Sequence, residues 1–401
     1  PRTAVDAPQL RSLGTQLLGA RGDFSGHRKL GPQLEKRREA VDGEPAEDPA
    51  ADRLDWAQAE SLAWASLVCQ GVPIRLTGQD TIRGTFSQRH LRLFDSNTGE
   101  SFTPIQNLPN ATAPFELHNS PLSEIGCLGF EYGYSGQAPD ALVVWEAQFG
   151  DFVNSAQVIV DQFLVSGLAK WGQTSRLTLL LPHGYEGSGP EHSSGRLERF
   201  LQLAAEGNIR VANPSTPAQY FHLLRRQGLI SKARPLIVMT PKSLLRHPAA
   251  ASALDELSDG EFHTVIDDPL FADGGWDRSK VTKLVLCSGK VYYDIAGAEE
   301  RESASHVAVA RVELLYPFAS NELVELMASY PALARLEWAQ EEPRNMGARA
   351  FMKIRLDDIL PEGIAYSRVD RDWRASPGEG YAAHHKREQQ RIVRAALDLG
   401  D

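Results

Sequence analysis

The run Ser120-Pro-Leu-Ser-Glu124 sets one carboxylate just after a proline turn, at the expected start of a helix carrying Gly126, Gly129 and Gly133. Two readings fit Glu124. The helix dipole favours an acid in the first turn, and a carboxylate presented there can also exchange a proton with a ligand. The glycines permit close packing on another helix. A second candidate is Leu181-Pro-His-Gly-Tyr-Glu-Gly followed by Ser-Gly-Pro-Glu-His-Ser-Ser194, rich in Gly, Pro and His and placed between an apolar run and a helical pattern. Open α/β sheets bind ligands at the carboxyl ends of their strands, so His183 and His192 are candidate acid/base groups or anion donors. A structural turn capped by Ser193 or Ser194 explains the same residues.

Two further loops follow apolar runs. Thr77 to His90 carries Arg83, Arg89 and His90, which either contact an anion or form solvated loop charge. Trp145 to Phe152 sets polar groups between aromatics, with Phe149 as a stacking platform or a core residue. The chain has no GxSxG elbow, no GxxxxGK[ST] loop, no HExxH and no glycine fingerprint after a strand. Hydrolase, P-loop and nicotinamide chemistry therefore lack support.

The elements that must position these residues are read from periodicity. Trp56, Leu62, Trp64 and Leu67 recur at helical spacing and predict an amphipathic helix ending before Gly71. Short apolar runs follow at residues 73–76, 141–145, 177–181, 210–212 and 236–239, each ending in turn residues and then a helical pattern. That alternation is the mark of buried parallel strands joined by crossovers. Residues 51–265 are thus expected to form a doubly wound α/β domain. A connection over Asp267–Lys280 leads to runs at 284–287, 307–312 and 336–339, a smaller second α/β domain over residues 266–401. Residues 1–50, rich in Arg, Glu, Asp, Gly and Pro with one amphipathic piece at 10–18, read as a linker or interdomain arm.

With 401 residues, 42% apolar and 23% charged, the chain can bury two ordinary cores. The formal charge of −10, with no long basic block, argues against a nucleic-acid partner. Cys69, Cys127 and Cys287 lack CxxC spacing and are odd in number, which fits a reducing, cytoplasmic setting. No uninterrupted stretch of about 18 apolar residues predicts a membrane span, and the N-terminus has no secretory pattern. A start at Pro1 suggests a fragment of a longer chain, with a separately encoded subunit as the alternative.

Several runs, taken in order, carry a resemblance. Arg83-Gly-Thr-Phe-Ser-Gln-Arg-His90, Gly129-Phe-Glu-Tyr-Gly-Tyr134 and Val144-Trp-Glu-Ala-Gln-Phe-Gly-Asp-Phe152 come first. The histidine-rich loop, Thr240-Pro-Lys-Ser-Leu-Leu-Arg246, Cys287-Ser-Gly-Lys-Val-Tyr-Tyr293 and Gln340-Glu-Glu-Pro343 follow. Together they resemble the carboxyl-terminal portion of the thiamine-dependent, decarboxylating component of 2-oxoglutarate dehydrogenases, over residues 50–395. The resemblance implies a transketolase-like pyrimidine-binding domain followed by the family's C-terminal domain. It implies thiamine diphosphate as cofactor, with Glu124 sharing a proton with the aminopyrimidine ring and Glu131 as the rival carboxylate. Phe149 would pack on that ring, His192 would line the substrate pocket, and His90 would stand near the same cleft. The implied reaction is decarboxylation of 2-oxoglutarate with succinyl transfer to lipoamide on a succinyltransferase component, by a homodimer. 2-Oxoadipate dehydrogenase shares most of these motifs, and a non-catalytic assembly module is the alternative outside enzymes.

The resemblance also marks a gap. Such enzymes hold the diphosphate through Mg²⁺ bound by a Gly-Asp pair and an Asn some 25–30 residues later, since a divalent cation must bridge the phosphates. Gly22-Asp23 and Gly150-Asp151 lack that Asn, so no metal site is expected on this chain. Actinobacterial members take acetyl-CoA at a basic site. Arg226 matches one of its positions, but Glu261, Leu314, Asn321 and Glu322 supply no cation, so that activation is not expected.

Overall fold

In the computed structural model, residues 1–19, 24–42, 53–272 and 275–400 are described. Uninterrupted apolar runs become strands buried on both faces. The first sheet takes β1 (Ile74–Gly78), β2 (Phe115–Asn119), β3 (Leu142–Glu146), β4 (Thr178–Pro182), β5 (Arg210–Ala212) and β6 (Leu236–Thr240). The second half of the chain adds β7 (Val265–Ile266), β8 (Lys283–Cys287), β9 (Val307–Val312), β10 (Leu314–Tyr316), β11 (Arg335–Pro343) and β12 (Ala365–Arg371). The first sheet runs β10-β5-β6-β4-β3-β1-β2, parallel except for β10, and the second runs β12-β11-β8-β9-β7, parallel except for β7. Both are covered by helices, which gives the two α/β domains expected.

Strand alternation divides the core into layers. Leu142 and Val144 point to one face of the first sheet, Val143 and Trp145 to the other. The second layer continues without a break into Leu284, Leu286, Ala308, Ala310, Leu336 and Trp338 of the second sheet, so one apolar core joins the domains. Chain pairing joins them again, because β9 leaves the second sheet at Glu313 and re-enters the first as β10. Glu313 is fully buried at this crossing and accepts from the Ser215 amide at 2.8 Å. Burial raises its pKa despite the nearby Arg311.

Several expectations change. The helix Trp56–Cys69, capped by Asp55 accepting from Gln58 N at 2.7 Å, is buried on every side from Trp56 to Val68 rather than amphipathic. Its outer face is closed by the N-terminal segment. Val5, Leu10, Leu13, Ala40 and Val41 join its core cluster, and Arg225 Nε donates to the Thr3 carbonyl at 2.6 Å. The described parts of residues 1–50 are therefore docked, through helices Ala7–Leu18 and Gly31–Asp42. The connection at Asp267–Lys280 is anchored as well, since the buried Asp268 pairs with Arg301 at 2.6 Å. One helical run, Gly150–Trp171, is long and apolar enough to cross a membrane by length and composition, although polar residues such as Asp151, Asn154 and Asp161 interrupt its apolar ones. Its Val153, Ala156, Val160 and Leu164 lie in the core, while Val158, Phe163 and Trp171 are exposed.

Candidate active site

The carboxyl ends of β1, β3, β4 and β6 converge, and the loops that leave them carry the candidate residues. The loop after β3 lies directly on the loop after β4. A Cβ on Gly150 would stand 2.4 Å from the Pro182 carbonyl and 2.7 Å from Gly195 Cα, so no side chain fits there. That contact brings Phe149 onto His192, with ring centroids 4.1 Å apart and planes at 27°. Phe86 and Phe152 meet the edge of Phe149 at 5.9 and 5.7 Å.

Glu124 opens helix Glu124–Gln137, which Ser123 caps by accepting from Gly126 N. Its half-buried carboxylate accepts from Gln79 Nε2 at 3.0 Å and from Ser155 Oγ at 3.1 Å. Ser155 also bonds the Phe152 carbonyl, so a short path of contacts joins Glu124 to the aromatic group around Phe149 and His192. Among the described residues Glu124 forms no ion pair. A carboxylate held by neutral donors and open to solvent can take a hydrogen bond from a protonated ring nitrogen. Glu131 cannot: it is buried, and Arg75 binds it through Nε at 2.8 Å and Nη2 at 3.1 Å.

The two histidines of the β4 loop part company. Gly195 N donates to His183 Nδ1 at 2.9 Å, which places the ring proton on Nε2, where it donates to Glu342 at 2.9 Å. Both nitrogens of this buried ring are engaged, so His183 is structural. His192 is exposed, and among the described residues its ring makes no such hydrogen bond. His90 lies next to Arg89 on the loop that carries Phe86. Its backbone φ of 52° turns the ring toward the Ser87 carbonyl at 3.0 Å, and no contact joins it to Glu124, Phe149 or His192 among the described residues. Burial, with Arg37, Arg83 and Arg246 adding to it, lowers the pKa of His90 despite the Ser87 bond.

Beneath the loops lies a buried ion cluster. Arg89 donates to Glu60 and Glu146, with Nη2 at 3.0 and 2.7 Å, and Tyr220 donates to Glu60 at 2.8 Å. Burial opposes the Arg89 charge, but Glu146 and Glu60 outweigh it and hold the pKa well above its ordinary value. Glu146 ends β3, so the cluster fixes the strand end from which the Phe149 loop departs.

Sequence reasoning missed Gln79 and Ser155 beside Glu124 and Lys242 behind His192. Gln79 lay in a loop already singled out, one residue past β1, whereas nothing local marks Ser155. Among the described residues no group of three or more His, Cys, Asp or Glu could hold a metal, and Asp151 of the Gly-Asp pair is bound to Arg196. A cavity of about 1100 Å³ around Arg311, Tyr293 and His247 includes none of Glu124, Phe149 and His192. The grouped residues instead border an open face.

Comparison with known proteins agrees with this layout. Residues 52–248 match the family described as transketolase, pyrimidine binding domain, and residues 251–397 match 2-oxoglutarate dehydrogenase C-terminal. The 2-oxoglutarate dehydrogenase E1 component of Geobacillus sp. (strain WCH70) is 51% identical over 400 residues, covering 99% of this chain and 41% of its own. That of Bacillus subtilis (strain 168) is 49% identical over 400 residues, covering 98% and 41%. The multifunctional 2-oxoglutarate metabolism enzyme of Mycobacterium sp. (strain KMS) is 47% identical over 403 residues, covering 98% and 31%. The chain thus spans about two fifths or less of the length of these curated relatives.

Proposed function

We propose that this chain, which belongs to the 2-oxoglutarate dehydrogenase E1 family, supplies the aminopyrimidine-activating half of a thiamine-diphosphate site in an enzyme that decarboxylates 2-oxoglutarate. The observation that carries this reading is Glu124: a carboxylate at a helix start, without a cationic partner among the described residues, linked by contacts to Phe149 and His192.

The residues fit one end of the cofactor and not the other. Glu124 suits a heterocyclic nitrogen and Phe149 a flat ring, while neither Gly22-Asp23 nor Gly150-Asp151 is followed by the Asn that a Mg²⁺-bound diphosphate calls for. We assign that anchor to a diphosphate-binding domain outside this chain. When bound, thiamine diphosphate supplies the carbon nucleophile and the electron sink for decarboxylation. Glu124 then holds a proton at the ring nitrogen N1′, with Gln79 and Ser155 fixing the carboxylate. Phe149 orients the ring, and His192 donates to the substrate.

An open half-site needs a partner surface. Leu122, Ile125 and Phe130 beside Glu124 are exposed, as are Val158, Phe163 and Trp171 on the neighbouring helical run. Apolar exposure on this scale supports an interface, and we assign it to a second protomer, making the enzyme a homodimer. The acceptor of the succinyl group is a lipoyl-bearing succinyltransferase. Three free cysteines suit a reducing compartment, the cytoplasm. The test is succinylation of a lipoyl domain by the complete enzyme, with kcat/KM compared for 2-oxoglutarate and 2-oxoadipate. Preference for 2-oxoglutarate supports the assignment; no turnover, or preference for 2-oxoadipate, refutes it.

A further inference from the structure

Lys242 leaves the carboxyl end of β6, the strand beside β4, and turns its ammonium under the loop that carries His192. Its Nζ donates to the Gly184 carbonyl at 2.7 Å and to the carbonyl of His192 itself. One group therefore ties both arms of the loop, next to the backbone bridge from Gly184 N to the Ser193 carbonyl at 2.8 Å. Lys242 is buried, yet among the described residues it pairs with no carboxylate. A buried ammonium is costly unless its donors are satisfied, and here backbone carbonyls satisfy them. The other side-chain supports of the loop hold different points: His183 binds Gly195 N, Glu186 accepts from Ser243 N at 3.0 Å, Glu341 accepts from Tyr185 N at 2.8 Å, and Ser193 Oγ donates to Gly189 O. None of these bonds His192. The only described hydrogen bond at His192 beyond its own short helical turn is the one from Lys242.

We infer that Lys242 is a positioning residue for the 2-oxo acid: its clamp on the Gly184 and His192 carbonyls sets where the His192 imidazole stands over Phe149. The inference rests on the proposed role of His192 at the substrate. A loop end displaced by about 1 Å can cost on the order of 100-fold in rate, so loss of the clamp is read in kinetics more than in folding.

The experiment is a double-mutant cycle in the complete enzyme, using Lys242→Met, His192→Ala and the pair, with thiamine diphosphate and Mg²⁺ present. Lys242→Met is expected to lower kcat/KM for 2-oxoglutarate by roughly 10- to 100-fold, with KM raised and cofactor affinity within about twofold of wild type. In the His192→Ala background the same change is expected to add little, because the two act as one unit. Lys242→Gln, which retains an amide donor, is measured alongside and decides the matter if the methionine variant does not fold; its expected loss is smaller in wild type and likewise absent beside His192→Ala. An impaired His192→Ala with an unaffected Lys242 variant overturns the positioning role alone. Equal losses in both backgrounds overturn it too. An unaffected His192→Ala overturns the reading of His192 and with it the inference.

Discussion

Glu124→Gln separates a proton partner from a helix-start acid. The substitution preserves shape and leaves an amide oxygen for Gln79, while the Ser155 hydroxyl can reverse to accept from the new amide. The folding cost is then mainly the lost charge in the first helical turn, about 0.3–1 kcal/mol, or ~1–4 °C in Tm for a domain of this size. The catalytic cost is of another order. A positioned acid–base group contributes roughly 10²- to 10⁴-fold, so decarboxylation is expected to fall by at least about 100-fold, equivalent to ~2.7 kcal/mol in the barrier. Glu131→Gln should behave in the opposite way. It strips one partner from a buried pair with Arg75, and breaking such pairs costs up to about 3–5 kcal/mol, lessened here because Arg75 keeps Glu116 at 2.6 Å. The assay is CO₂ release from 2-oxoglutarate by the complete enzyme, with Tm measured on the same samples. A Glu124→Gln enzyme within threefold of wild type, or a Glu131→Gln enzyme that keeps its Tm but loses turnover, would refute the assignment.

Three other outcomes are expected. Phe130→Glu places a charge on the exposed apolar face and should convert dimer to monomer in sedimentation velocity at micromolar concentration; an unchanged mass would remove that face from the interface. Gly150→Ala should cost about 1–3 kcal/mol and raise KM, because its Cβ meets the Pro182 carbonyl and Gly195 Cα, which cannot yield; differential scanning calorimetry with kinetics reads both. Burial lowers the pKa of His90 and His222, so the folded state resists protonation that the unfolded chain accepts near 6.5. Their contribution is present above pH ~6.5 and is lost as pH falls through the folded values. Thermal midpoints should therefore drop from pH 7.5 to 5.5, and less steeply in His222→Gln; a parallel pH curve for that variant would contradict the attribution.

Fold class was legible because β3, β4, β8 and β9 are nearly unbroken apolar runs of five or six residues, buried on both faces. The edge strand β2 was not, since Phe115-Glu-Leu-His-Asn119 alternates and ends in polar residues beside the Pro turn. Strand β10 was hidden by the same cause at larger scale: Glu313 interrupts an apolar run, and only tertiary structure shows that the two sides enter different sheets. Docking of the N-terminal helices depends on a few apolar residues meeting a distant helix, which no local period reveals. Within the site, Glu124, Phe149 and His192 stood in recognisable runs. Their supports did not, because Gln79 and Ser155 lie 45 and 31 positions from Glu124. His90 neighbours Arg89, which is built into the floor of the site, and its own ring bonds the Ser87 carbonyl.

The most direct test of the central claim is a structure of the complete enzyme with thiamine diphosphate and Mg²⁺. The account predicts the Glu124 carboxylate within hydrogen-bond distance of N1′, about 2.6–2.9 Å, with the diphosphate held by residues outside this chain. N1′ facing another carboxylate, or the metal bound within residues 1–401, would contradict it.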